Sequence, residues 1–349
     1  MPFTTLAYSD GPILAFAQDG LFISWETNEN CVGIVRIRSL LANSQRGVGS
    51  VDSGGNCDLL SATQLVEAGP RAFWTNDEVG NEAYTNVYSN TFAPHSMTEV
   101  ASEVTDESPW RIGNHLGGLA VDTEDLTLDP PIFFSTIGVG VHGSDSCDTA
   151  NTCIPYISGG GVSEYLASST NAIPGVPPAS LLAASGGNVA IVPASIVNVV
   201  PPSGSTANPV ILPNTKVLVV NGATGAQITS FTPAGTISAI AYAGSIIAVI
   251  VVNGTNKRVQ RYSASTGALL GSSLEPAADP AVLAMDSTRI LFLTGDSIRA
   301  MNTSKGSVST LAIAASTPIG LSLSYGRVAW GENVTRNGHT TGRIQALQL

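Results

Sequence analysis

Arg327-Val-Ala-Trp330 is the stretch on which the reading of this chain turns, because it recurs. Phe22-Ile-Ser-Trp25, Arg71-Ala-Phe-Trp74 and Arg289-Ile-Leu-Phe292 are close copies, and Pro131-Ile-Phe-Phe134, Asn188-Val-Ala-Ile191 and Ser245-Ile-Ile-Ala248 are weaker ones. Each follows an apolar strand and a turn containing Gly or Asp. The last residues of successive copies are separated by 49, 60, 57, 57, 44 and 38 residues. A period of about 40–50 residues, with excess length placed in loops, is the rhythm of propeller blades built from four strands each.

The two ends of the chain supply the closing argument. After Trp330 19 residues remain, and 25 from Met1 reach Trp25, together 44, the length of one blade. The last blade has room for only three strands after Pro318, so Phe3–Ala7 is expected to supply its fourth, which removes the exposed sheet edge that an open ring would carry. The fold class expected is therefore all-β, a seven-bladed β-propeller forming one domain over 1–349, with six or eight blades as the alternatives. The blades are expected at about 11–60, 61–110, 111–177, 178–235, 236–278, 279–317 and 318–349 plus 1–10. The largest insertion, roughly 137–160, and the Pro-rich stretches 174–178 and 193–213 read as loops within that domain, since the repeat resumes after each.

Composition agrees. Of 349 residues 43% are hydrophobic and only 12% charged, with 36 Gly and 20 Pro. Charged residues are about half the share of an ordinary globular domain, which excludes an acidic disordered chain or a coiled coil. Lys occurs only at Lys216, Lys257 and Lys305, so the surface is made of Ser, Thr, Asn, Gly and Ala, which suit exposed strands and turns better than helices. A formal charge of −11 argues against a nucleic-acid partner, whose phosphates require a basic face. The longest apolar run, Ile237–Val252, is interrupted by Ser238, Gly244 and Ser245. It reads as two buried strands meeting at Gly244, not as a membrane span, which needs about 20 apolar residues.

Most second strands are followed by a third of alternating polarity, such as Lys216-Val-Leu-Val-Val, Arg258-Val-Gln-Arg-Tyr, Ser297-Ile-Arg-Ala-Met and Arg343-Ile-Gln-Ala-Leu. Three of these run into matching turns, Asn221-Gly-Ala-Thr-Gly225, Ser263-Ala-Ser-Thr-Gly267 and Asn302-Thr-Ser-Lys-Gly306. The fifth-position Gly permits positive φ, and Asn or Ser can bond the turn backbone. This pattern resembles the broad class of PQQ-, YVTN- and TolB-like β-propellers over most of the chain, by blade rhythm alone. The turns lack the Asp usual at their first position, so the resemblance implies no PQQ site.

Cys31, Cys57, Cys147 and Cys153 are the only cysteines. In a propeller the loop between strands two and three lies on the same face as the blade-to-blade loop. That placement allows Cys31–Cys57 and Cys147–Cys153 disulfides. An even number of cysteines in loops, with no Cys-x-x-Cys, favours disulfides over zinc. The expected location is therefore secreted or periplasmic, with the signal peptide absent from Met1–Asp10, which lacks a basic segment followed by an apolar one.

Candidate chemistry is sparse. On the loop-rich face the strand count places His115, His142 and His339, with Asp77, Glu78, Glu82, Asp145, Asp148 and Glu332 nearby, and His95 on the other face. Imidazoles and carboxylates together could hold a catalytic metal with an open position. Asp145-Ser-Cys-Asp148 and Val121-Asp-Thr-Glu-Asp125 carry closely spaced oxygen ligands of the kind calcium prefers, with Asp122, Asp125, Asp145 and Asp148 as the candidates, although neither has EF-hand spacing. No Gly-x-Ser-x-Gly nucleophile element or phosphate loop appears. Trp25, Trp74 and Trp330 occupy equivalent blade positions and are expected between blades.

The reading that results is a secreted propeller that binds a protein, glycan or small-molecule ligand on the loop-rich face around its central channel. The alternative is a metal-assisted hydrolase or lyase with a divalent ion, Ca or Mg, at the channel mouth. The cysteine reading has a direct check. Thiol titration of the unfolded, unreduced protein is expected to find no free thiol, and breaking Cys31–Cys57 is expected to remove about 3–4 kcal/mol of stability in the loop-entropy model. Four free thiols would refute both bridges and the oxidising compartment with them.

Overall fold

The computed structural model describes residues 3–30, 32–52, 64–79, 83–93, 97–105, 113–122, 124–125, 127, 129–142, 154–199, 208–273 and 280–349. Among them there are strands and turns but no helix. The first strand, β1 (Thr4–Ser9), belongs to the last blade. The first blade is β2 (Ile13–Asp19), β3 (Phe22–Glu29), β4 (Val32–Ser39) and β5 (Ser44–Asp52). The second is β6 (Leu65–Ala68), β7 (Arg71–Val79), β8 (Ala83–Thr91) and β9 (Thr98–Thr105). The third is β10 (Gly113–Val121), β11 (Ile132–His142), β12 (Ile154–Leu166) and β13 (Ser169–Ala172).

The fourth blade is β14 (Ala179–Ser185), β15 (Asn188–Val199), β17 (Val217–Asn221) and β18 (Gln227–Phe231). An extra strand, β16 (Asn208–Pro213), pairs with the far end of β15. The fifth is β19 (Thr236–Ala243), β20 (Ile246–Asn253), β21 (Asn256–Ser263) and β22 (Leu269–Ser272), and the sixth is β23 (Pro280–Met285), β24 (Arg289–Thr294), β25 (Ser297–Asn302) and β26 (Val308–Ile313). The seventh is β27 (Ile319–Ser324), β28 (Arg327–Arg336) and β29 (His339–Gln348), completed by β1. The chain is a seven-bladed β-propeller, and the N-terminal strand closes it as expected. β1 runs antiparallel along β29, with Thr4 opposite Ala346 and Ser9 opposite Gly342. The innermost strand of each blade packs against those of the blades before and after, and β27 returns to β2.

Both faces of every blade are buried, and this explains why the second strands read as continuous apolar runs. Alternate side chains of one strand enter different seams. On β11, Phe134 packs with Ala68 and Val87 of the second blade, while Phe133 packs with Ala184 and Val189 of the fourth. Trp25, Trp74 and Trp330 are fully buried and face the preceding blade. The fifth blade is one residue out of the expected register. Val249 fills the seam towards the fourth blade, whereas Ala248 faces the sixth. A run of Ile, Ala and Val gives no large residue by which to set the phase, and a one-residue slip exchanges the two faces.

Close packing of blades leaves some positions no room for a side chain. A Cβ on Gly49 of β5 would lie 2.2 Å from Cζ2 of Trp74, and one on Gly117 of β10 would lie 1.8 Å from the Ala179 carbonyl oxygen. The expected turn glycines Gly225, Gly267 and Gly306 all have positive φ, near 70°, with the Asn221 and Asn302 side chains accepting from their turn backbones.

The Gly49–Trp74 contact yields a test. Gly49 has ordinary backbone geometry, so only volume is at stake, and Gly49→Ala is expected to lower stability by about 1–3 kcal/mol through overpacking against the indole. Urea unfolding monitored by tryptophan fluorescence measures it. A variant as stable as the parent would show that the first two blades can separate freely at this point.

Candidate functional site

Six of the seven inner strands contribute their C-terminal ends to a cavity of about 520 Å³ at one mouth of the central channel. Asp19 ends β2, Val121 ends β10 with Asp122 just beyond, Ala243 ends β19, Met285 ends β23, Ser324 ends β27, and Glu67 comes from β6. Strands finish together here because the first two strands of most blades are joined by short glycine turns, among them Gly20-Leu21, Gly69-Pro70 and Gly244-Ser245. Gly20, Gly69 and Gly244 each have positive φ, which side-chain-bearing residues adopt only with strain.

The residues ending the inner strands also tie adjacent blades together. Asp19 accepts from the Gly69 N–H at 2.7 Å, and Asp122 accepts from Gly186 at 2.9 Å and Gly187 at 2.7 Å. The Ser185 hydroxyl accepts from Gly244 N–H at 3.0 Å, and the Ser324 hydroxyl accepts from Gly20 N–H at 2.9 Å. In each case the last polar residue of one blade's inner strand satisfies the turn amide of the next blade. A buried amide without a partner is costly, so these contacts fix how the blades meet around the channel.

The same arrangement makes the mouth acidic. Asp19, Glu67, Asp122, Glu124, Asp125 and Asp286 line it, and the described lining contains no Lys or Arg. Arg327 lies beside Asp19 and donates to Gln18 and the Gly20 carbonyl. Arg289 sits 3.8 Å from Asp286, whose other oxygen holds its own turn through Thr288 and Arg289 N–H. Asp125 accepts from Thr127 N–H.

Glu67 differs from these. It is 1% exposed, and among the described residues neither of its carboxylate oxygens has a hydrogen-bond partner. Burial pushes its carboxyl well above the usual carboxylate range. The Ser24 hydroxyl, close by but outside hydrogen-bonding geometry, opposes the rise, and the Asp19 charge adds to it. Apolar lining comes from Val121, Ala243, Met285 and Leu323, with the exposed rim residue Tyr325 beside them.

The expected candidates fall elsewhere in part. His115 lies near the start of β10, His142 ends β11 and His339 begins β29. All three are at the end of the ring remote from the acidic cavity. His115 is half-buried and His339 exposed. Glu78 lies in β7. Glu82, Asp145, Asp148, His95 and the four cysteines Cys31, Cys57, Cys147 and Cys153 lie outside the described residues.

Asp122 and Asp125 do line the cavity, but Asp122 is 3% exposed and accepts three backbone amides, Glu124 N–H among them. Among the described residues no three His, Cys, Asp or Glu side chains converge as metal ligands. Glu332 is structural. It is buried, accepts the Trp330 indole N–H at 2.8 Å and pairs with Arg343 at 2.6 Å. The residue missed from the sequence is Glu67, whose only signal is an acid inside the otherwise apolar strand Leu65-Val-Glu-Ala68.

No family profile matches the chain, and no curated protein matches it in sequence. Solved structures do. A chain of the Mitotic Checkpoint Complex is 10% identical with a TM-score of 0.54, covering 100% of this chain and 91% of that one. The computationally designed Ika8 protein is 12% identical with a TM-score of 0.52, covering 99% and 98%. BamB from Moraxella catarrhalis is 11% identical with a TM-score of 0.47, covering 97% and 86%. At such identities the likeness is one of fold alone. No helix among the described residues is long and apolar enough to cross a membrane.

Glu67 sets a pH dependence. Because its folded-state pKa is raised, the folded protein holds this proton more tightly than the unfolded chain. The group therefore favours folding at acid pH, and that contribution is lost as pH rises through the folded value. Glu67→Gln, which keeps the shape and cannot ionise, is expected to match the parent near about pH 4 and to exceed its stability at about pH 8 by roughly 1–3 kcal/mol. Thermal unfolding across this range is the measurement. A constant difference at all pH values would show that Glu67 is not held protonated by burial.

Proposed function

We propose that this protein is a non-catalytic binding protein, secreted or periplasmic, that takes its ligand at the acidic mouth of the propeller channel. Propellers commonly serve as interaction scaffolds, and function lies in the site grafted on the fold. The observation carrying the proposal is the cavity itself. At about 520 Å³ it has the size of a ligand pocket, with mixed apolar and carboxylate walls and a buried carboxyl that no described residue hydrogen-bonds. The even cysteine count without a Cys-x-x-Cys motif and the scarcity of lysine support the extracytoplasmic location.

This places the ligand at the short-turn mouth, opposite the loop-rich face that the sequence pattern favoured. Metal-assisted hydrolysis would need several ligands converging on one ion, an arrangement the described residues do not provide.

Ser287 stands exposed on the rim and lines the cavity, so Ser287→Trp would obstruct the mouth without entering the core. Arrays of peptides and of glycans, probed with purified full-length protein, are expected to show binders whose signal falls at least about tenfold in this variant, the loss of one good contact or more. Binders retained at full strength by Ser287→Trp would overturn the reading.

A further inference from the structure

We propose that the acidic mouth holds the cationic side chain of a basic polypeptide, an arginine or lysine whose alkyl stem lies along Met285, Leu323 and Tyr325 and whose head reaches Glu67. The inference rests on the reading of this mouth as a binding site and names what fills it. Acidic residues lining a channel are unremarkable when each is paired. Here Asp122 and Asp286 are engaged by backbone amides and Asp19 by the Gly69 N–H. Glu67 is hydrogen-bonded by no described residue. An unpartnered carboxyl that is 1% exposed destabilises the empty protein, and a group of this kind in the wall of a cavity is explained when a ligand completes it.

The chemistry of the ligand follows from the walls. The lining carboxylates come from different blades, from β2, β6 and the segments just after β10 and β23. They are spread around the mouth and do not converge as metal ligands. A spread of carboxylates suits a delocalised or hydrogen-bonding cation with several donors, which a guanidinium or ammonium supplies. The apolar share of the wall suits a methylene stem, since Lys and Arg side chains lie along apolar surface while their heads remain polar.

A polypeptide is favoured over a free amine by the open rim. Tyr325 is 63% exposed and Ser287 is exposed, so a side chain can enter while its backbone stays outside. The formal charge of −11 draws basic partners and disfavours acidic ones.

The experiment uses full-length protein and a blocked peptide, acetyl-Gly-Ser-Arg-Ser-Gly-amide. Its lysine and citrulline counterparts, N-acetylarginine amide, and calcium and magnesium chlorides complete the set. Citrulline keeps the shape of arginine and removes the charge. By calorimetry at low salt the arginine or lysine peptide is expected to bind about tenfold or more tightly than the citrulline peptide, weakening as salt is raised. Glu67→Gln is expected to reduce that charge preference severalfold while raising stability at neutral pH. A purely structural role for Glu67 would not produce these two opposite effects.

Glu124→Gln, at an exposed rim position, is expected to lower affinity about threefold without affecting folding, and it carries the test if Glu67→Gln fails to fold. Equal binding of the arginine and citrulline peptides, or no binding of either cationic peptide, overturns the inference. So does stoichiometric calcium or magnesium binding that the peptide cannot displace. N-acetylarginine amide binding as tightly as the peptide would reassign the site to small amines. Ser287→Trp separates the two readings. Loss of an uncharged ligand in that variant sinks only the cationic occupant, whereas unchanged binding of every array ligand sinks the mouth as a site.

Discussion

The antiparallel ladder between β1 and β29 is the contact on which the rest of the molecule depends. A four-stranded blade has two apolar faces, and each can be buried only if a blade stands on either side. A linear stack would leave two faces and an unpaired edge in water. Joining Thr4–Ser9 to the strand that ends at Gln348 turns the stack into a ring, so every face acquires a neighbour and the last blade its outer strand. The ladder unites segments some 340 residues apart, yet the chain entropy of closing so long a loop grows only logarithmically with its length. Seven seams of buried contacts outweigh that cost.

Within the ring the seams solve one packing problem with different residues. The seams in front of the first, second and seventh blades each take a tryptophan, and Gly49 is the counterpart that makes space for Trp74. The third and sixth blades put Phe134 and Phe292 in the same place, and the fourth and fifth put Ile191 and Val249 there. All are close-packed, and where that position is aliphatic other large residues fill the seam, as the stacked Phe231 and Tyr262 do in the seam of Val249. Hydrogen bonds from strand ends to the turn amides of the next blade add direction to this otherwise non-directional packing.

Those hydrogen bonds also give the channel mouth its character. Asp19 and Asp122 are acidic because turn amides need acceptors, and the same placement leaves negative potential where the inner strands end. Structural need accounts for these residues. It does not account for Glu67, which is buried, has no hydrogen-bond partner among the described residues, and has its carboxyl pushed up by burial. A buried carboxyl in the wall of a cavity is expected to weaken the fold at neutral pH, the usual opposition between stability and binding.

The sequence alone determined the architecture, because a propeller is a repeat and repetition is visible in one dimension. The Trp330-type strands, the turns ending at Gly225, Gly267 and Gly306, and the 44 residues shared between the two ends were enough to count seven blades and to close the ring. The burial of Trp25, Trp74 and Trp330 followed from their equivalent positions. The phase of the fifth blade did not, since its run of small apolar residues reads alike in two registers. The candidate site was nearly illegible. The histidines drew attention because they are rare, and Asp122 and Asp125 because they are close in sequence. The cavity, however, is assembled from residues as distant as Asp19, Glu67 and Asp286, which become neighbours only when the inner strands converge on one axis. Whether a carboxylate is paired or left alone depends on which turn of the next blade reaches it. Only the tertiary structure decides that, because two of the three amides that satisfy Asp122 lie 64 and 65 residues away and Glu67 has no donor among the described residues.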